Sequence, residues 1–311
     1  MRIKLCGLIA CAAMLAAGVV SCQQHDDIPQ GVKYPILFDS PDTRATATID
    51  DLKTNGFMVY AYVKGNAGST SFAKKVTHSV VEGRDIWALE TPEYWLPDTD
   101  YYFKAFYPSV PSAGTLKVAN TDKNQDFTIA DFDITEQEDI MVASAIASVE
   151  AGAPAPASGS VVPLNFQHLL ANVVVKVKSE IPNVTVSNVS FEGVAQSGKY
   201  EKNIEKYIWT AGQTVSFGKQ YTGDPLVKDA ENYVDVTSGG ILVIPENING
   251  SQKMYITTSH KVYDFILQPI TWESGMLYTY TLTIKQENII FNEPTVEIWD
   301  EENATGSVII K

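Results

Sequence analysis

The chain has 311 residues, 45% of them hydrophobic, with a formal net charge of −14 and a pI of about 4.7. That length suits two ordinary domains, each with its own core. The acidic balance excludes a general nucleic-acid binder, which needs a basic footprint, and favours a soluble, self-repelling surface protein.

Met1-Arg2-Ile3-Lys4 sets two positive charges before an apolar run from Leu5 to Val20. The run is too short for an ordinary membrane span but suits the core of a signal peptide. It ends at Val19-Val20-Ser21-Cys22, small residues before a cysteine, and so resembles the lipobox of bacterial lipoproteins. On that reading residues 1–21 are removed and Cys22 is the lipidation site. Several acyl chains, each contributing roughly 0.8 kcal/mol per buried CH₂, hold a protein on a membrane durably. Cysteine occurs elsewhere only at Cys6 and Cys11. The mature chain therefore has no disulfide, cysteine-ligated metal or cysteine nucleophile to draw on. Gln23-Gln24-His25-Asp26-Asp27 reads as a polar tether or as an acidic surface-export signal.

Tyr34-Pro35-Ile36-Leu37-Phe38 is a short apolar strand, broken by the turn residues Asp39 to Arg44. From Gly56 the pattern alternates. Phe57, Val59, Ala61 and Val63 share one face, and Met58, Tyr60 and Tyr62 the other. Tyr101, Phe103, Ala105 and Tyr107 repeat the alternation until Pro108 ends it. Glu150 to Ser160 is rich in Ala, Pro, Gly and Ser and has too little apolar bulk to pack. It marks a domain boundary or, alternatively, a long surface loop. Beyond it, Phe166–Asn172 has room for one or two helical turns. Val173, Val175 and Val177 alternate with Val174, Lys176 and Lys178, and Tyr278, Tyr280, Leu282 and Ile284 form a further alternating strand. Short strands with turn signals between them predict all-β sandwiches. One spacing occurs in both halves: Trp95 is followed by Tyr101 and Phe103, and Trp272 by Tyr278 and Tyr280.

Motifs for catalysis are missing from the sequence. The histidines at 25, 78, 168 and 260 make no zinc-hydrolase pair, and there is no nucleophile elbow, P-loop or dinucleotide fingerprint. His168, beside Phe166 and Leu169, reads as a hydrogen-bonded core histidine. Asp122-Lys123-Asn124-Gln125-Asp126 opens like a calcium loop with Asp133 in the twelfth place. Phe127 stands where the sharp turn needs glycine, however, and Asp133 where a bidentate glutamate is usual. A polar turn is predicted there, with no metal, no cofactor and no enzyme activity.

Several stretches stand in the order of elements known from one family. They are Thr43-Arg44-Ala45 after an apolar strand, Tyr102 to Pro108, Asp139 to Ala143, Leu164 to Ala171, Leu242 to Pro245, Trp272 to Tyr280, and Val296 to Trp299. Together they resemble the fimbrillin family of Bacteroidetes, its pilins and their Mfa-like, lipoprotein relatives. The resemblance implies two tandem transthyretin-like β-sandwiches after a lipoprotein signal peptide. It also implies cleavage by an Arg-specific protease and polymerisation by strand exchange. On this chain the cut falls between Arg44 and Ala45. Ile36 and Phe38 lie in the removable strand, and Val308 and Ile310 in the C-terminal donor candidate. The implied division is 1–21 signal peptide, 22–44 tether and removable strand, 45–158 and 159–311 sandwiches. The implied role is a structural or adhesive subunit of type V-like fimbriae at the outer-membrane surface. Its expected partners are other pilin subunits, the protease, the membrane through its lipid, and a host or bacterial surface ligand. A surface adhesin or glycan-binding lipoprotein that never polymerises is the alternative, with Arg44 then a solvated loop arginine.

Overall fold

The computed structural model describes residues 33–39, 46–66, 68–149, 161–286 and 288–299. It is built almost wholly of strands. Among the described residues the helices are Thr46–Asn55 and a 3₁₀ turn at Ile134–Glu136. Two compact units divide the chain. The described residues up to Ser109, with Ala119–Gln125 and Val142–Phe166, form the first; Val110–Val118, Asp126–Met141 and the residues from Gln167 onward form the second. This division is not a single cut at 158–159. The strand Phe127–Asp133 pairs with Ser197–Asn203, Ile129 opposite Tyr200, and so joins the second unit although it precedes the Ala/Pro-rich stretch in sequence.

The first unit is organised by one sheet. Its strands follow in the order Met141–Val149, Thr99–Tyr107, Phe57–Gly65, Gly68–Val81, Arg84–Leu89, Leu37–Phe38 and Val161–Val162. The alternation in sequence is the alternation in burial. Phe57, Val59 and Ala61 are fully buried, as are Phe103 and Ala105 opposite them, while Met58, Tyr60 and Tyr62 are half-buried on the other face. The helix Thr46–Asn55 carried no clear periodic signal. Leu52, the fully buried one among its described side chains, anchors it. It ends where the Gly56 N–H donates to the Leu52 carbonyl at 2.8 Å. Gly56 has φ +67°, and a Cβ there would lie 2.2 Å from the Val76 carbonyl oxygen. Only glycine combines that left-handed cap with so close an approach.

The second unit is a sandwich. One sheet runs Val234–Asp235, Ala171–Ser179, Met276–Ile284, Ile289–Phe291, with Ile241–Val243 and Thr295–Ile298 added at its sides. The facing sheet runs Thr214–Gln220, Val186–Ala195, Lys253–Thr258, Val262–Ile266. Val173, Val175 and Val177 from the first sheet pack on Val189, Phe191 and Ile256 from the second. A further sheet of Lys206–Ala211, Ser197–Asn203, Phe127–Asp133 and Thr115–Val118 completes the unit. Phe166–Asn172 is extended, not helical. Gln167–His168 is a strand and Ala171–Ser179 begins the long central one. Leu169, Leu170, Ala171 and Asn172 are all buried, and a continuous buried run reads equally well as helix or as central strand.

The repeated tryptophan spacing is a repeated structure. The Tyr101 hydroxyl accepts from the Leu96 N–H at 2.7 Å, and the Tyr278 hydroxyl accepts from the Glu273 N–H at 2.8 Å. Each hydroxyl also donates to the carbonyl before its tryptophan, Tyr94 at 3.5 Å and Thr271 at 2.8 Å. In both units the tyrosine thus staples the turn that carries the tryptophan, and the pair packs ring against ring, 4.7 Å apart for Trp95–Tyr101 and 6.3 Å for Trp272–Tyr278.

One carboxyl in the second unit gives a pH-dependent prediction. Glu246 accepts the Ala195 N–H at 2.6 Å, and burial pushes its pKa above the ordinary carboxylate range. A carboxyl with a folded pKa above its unfolded one contributes stability at pH below the unfolded value, and that contribution is lost as pH rises through the folded value. Glu246→Gln, whose amide oxygen can keep the bond, is therefore expected to raise Tm at pH 7, with the gain closing towards pH 4. Thermal unfolding at both pH values checks this; a lower Tm at pH 7 would contradict it.

Candidate strand-exchange site

The segment Tyr34–Asp39 is seated between two strands of the first unit. Leu37 and Phe38 pair antiparallel with Ala88 and Trp87, and parallel with Val161 and Val162. Beyond the ladder, the Ile36 N–H donates to the Glu93 carbonyl at 2.8 Å, the Trp95 N–H to the Tyr34 carbonyl at 3.0 Å, and the Asp39 N–H to the Val162 carbonyl at 2.9 Å. Pro35 makes an isolated bridge with Tyr94. It has no N–H to offer, and a short inserted segment tolerates that better than a central strand would.

Period-two alternation decides which side chains turn inward. Ile36 is 1% exposed and Phe38 2%, while Leu37 between them is only partly covered. The Phe38 ring stands edge-on to Phe103 at 5.6 Å and to Phe57 at 6.2 Å. Phe57 in turn touches Trp87 at 5.6 Å and Phe166 at 5.2 Å. The segment is thus part of the aromatic core of its unit. The nearby Tyr101 hydroxyl has its pKa raised by burial, so it stays a neutral hydrogen-bonding group.

Of the residues singled out in sequence, Ile36 and Phe38 meet in this slot. Cys22, Arg44, Ala45, Val308 and Ile310 lie outside the described residues. Val161 and Val162 were missed, since they adjoin the Pro/Ala-rich stretch and were read with it. A two-residue strand has no period to detect, and the β-branched pair is the only local cue. His168 is buried, its Nδ1 2.7 Å from Asp139 Oδ2 and its ring stacked on Trp299 at 3.7 Å. The Asp122–Asp133 carboxylates serve the protein. Asp122 accepts the Asn124 N–H at 2.7 Å, Asp126 takes Lys202 at 3.0 Å and Tyr207 at 3.1 Å, and Asp133 caps the 3₁₀ turn through Thr135. Among the described residues no group of three His, Cys, Asp or Glu is placed to hold a metal ion.

The fold resembles solved structures of fimbrial and candidate cell adhesion proteins from Bacteroides species. A fimbrial protein from Bacteroides vulgatus is 17% identical with a TM-score of 0.55, the alignment covering 86% of this chain and 100% of that one. Candidate cell adhesion proteins from Bacteroides ovatus and Bacteroides uniformis are 14% and 15% identical, with TM-scores of 0.55 and 0.54; each alignment covers 88% of this chain and 100% of the other. At such identities the likeness is one of fold. Comparison with curated proteins finds no match. The family model described as fimbrillin-like matches residues 43–299, and the chain belongs to that fimbrillin-like family.

Proposed function

We propose that the chain is a subunit of a cell-surface fimbrium, exported as an outer-membrane lipoprotein anchored through Cys22. Cutting between Arg44 and Ala45 releases the Tyr34–Asp39 segment, and a strand from a neighbouring subunit takes its place. The family supports a fimbrial or adhesive role. The observation that carries the exchange reading is the seating of one short segment on both flanks. Leu37–Phe38 lies between Arg84–Leu89 and Val161–Val162 in the strand order, and Arg44 follows it by a few residues. Its removal leaves two strand edges unpaired and an apolar slot open, a combination that invites strand addition. Each large apolar side chain that loses its burial costs roughly 1.5–3 kcal/mol. While the chain is intact, the tether holds the segment at an effective concentration on the order of millimolar, and cutting removes that advantage.

The chain has three arginines, Arg2, Arg44 and Arg84. Arg84 is exposed where a tight turn enters its strand, so it competes for an Arg-specific protease, and tests of the cut belong in an Arg84→Lys background. Immunogold electron microscopy of cells carrying the tagged protein checks the proposal. Label along filaments is expected for Arg44 and label confined to the cell body for Arg44→Ala. Filaments labelled equally in both would exclude the cleavage mechanism, and a smooth labelled surface in both would favour the non-polymerising adhesin.

A further inference from the structure

Asparagine is followed by glycine twice in the chain, at Asn55–Gly56 and Asn249–Gly250. Glycine has no side chain to shield its backbone nitrogen, so each pair is chemically able to cyclise. The fold treats the two differently. Gly56 is buried, and its N–H donates to the Leu52 carbonyl at 2.8 Å. That proton is held in the bond that ends the helix, and the nitrogen cannot attack while the helix stands. The second pair lies in the loop between Asn247–Ile248 and Lys253–Thr258. Asn249 is exposed, and a Cβ built on Gly250 would come no closer than 3.8 Å to anything beyond its chain neighbours, there Pro269 Cγ. The Asn249 Oδ1 accepts two hydrogen bonds from Ser251, one from its N–H at 3.0 Å and one from its hydroxyl at 2.7 Å.

We infer that Asn249–Gly250 is a site of spontaneous deamidation, assisted by Ser251, and that Asn55–Gly56 is protected from it by the fold. The Gly250 nitrogen gives its proton to solvent base and bonds to Asn249 Cγ, and an electron pair moves onto Oδ1. The two Ser251 donors already lie at hydrogen-bond distance from that oxygen, the arrangement that stabilises an oxyanion. When the pair returns, the Cγ–Nδ2 bond breaks and Nδ2 leaves with a proton as ammonia, closing a succinimide ring. Water then opens the ring at either carbonyl and leaves aspartate or isoaspartate. One water is consumed and one ammonia released, with no change in oxidation state. Either product is a carboxylate at neutral pH. Isoaspartate also lengthens the main chain by one methylene in the loop that leads into Lys253–Thr258. The site is independent of the strand-exchange reading.

The test ages the full-length protein in mildly alkaline buffer, folded or unfolded in urea, and digests samples with trypsin. Asn55 falls in the peptide Thr54–Lys64 and Asn249 in Asp229–Lys253, so mass spectrometry follows both sites in one digest through the gain in mass as an amide becomes a carboxylate. In folded protein the Asp229–Lys253 peptide is expected to convert at least tenfold faster than Thr54–Lys64, and in urea the two are expected to convert at similar rates. Ser251→Ala is expected to slow the Asn249 conversion several-fold in folded protein and to leave it unchanged in urea, where the contact is absent. Equal rates at the two sites in folded protein would overturn the inference. A folded Ser251→Ala protein that converts as fast as the parent would overturn the part assigned to the Ser251 hydroxyl.

Discussion

Phe38→Ala is expected to destabilise the uncut protein by about 3–5 kcal/mol, the range for truncating a buried phenylalanine. The side chain is 2% exposed and supports two edge-on ring contacts. Its loss opens a cavity bounded by Phe57 and Phe103, which belong to paired strands and cannot collapse freely into it. Leu37→Ala is the control. That side chain lies on the other face and is only partly covered, so its truncation is expected to cost well under half as much. Denaturant titration of the three proteins decides the matter. Equal losses for Phe38→Ala and Leu37→Ala would mean that the segment is held by its backbone ladder and not by its inward side chains.

Trp272→Ala is the counterpart in the second unit, again with about 3–5 kcal/mol expected. Trp272 is 1% exposed, stands at 74° to the Phe191 ring 5.8 Å away, and donates through Nε1 to the Tyr280 hydroxyl at 3.3 Å. Truncation removes the packing and leaves the Tyr280 hydroxyl without that donor inside the core. Burial already pushes the Tyr280 pKa up to about 12, which reflects how little water reaches it. Trp272→Phe keeps a ring against Phe191 and is expected to recover more than half of the loss. Chemical denaturation checks the pair, and a Trp272→Ala loss below about 1 kcal/mol, far short of the range for a buried tryptophan, would contradict the packing account.

Much of the fold was legible because its long strands are one-sided. Phe57 to Val63 and Tyr278 to Leu282 alternate in sequence as they do in burial, and that period is a local property of the chain. The tryptophan–tyrosine spacing was equally local, and it proved to be one hydrogen-bonded turn built twice. What stayed hidden is non-local. Nothing around Phe127–Asp133 announces Ser197–Asn203 as its partner, a pairing that places the strand in the second compact unit. The helix Thr46–Asn55 is polar, and among its described side chains Leu52 is the buried one. At the candidate site, the inward pair Ile36 and Phe38 followed from alternation. Val161–Val162, the strand on their far flank, is too short to carry a pattern of its own.

The most direct test of the central claim is amide hydrogen exchange in Arg84→Lys protein, before and after cutting at Arg44. The amides of Ile36, Asp39 and Trp95 donate into the seated segment or out of it, so they report its occupancy. The account predicts slow exchange in the uncut chain, exchange at least tenfold faster once the tether is cut, and restored protection of Trp95 when excess Lys33–Asp39 peptide is added. Protection of all three amides that is unchanged by cutting would contradict it, because the segment would then be a permanent strand of its unit and not one poised to leave.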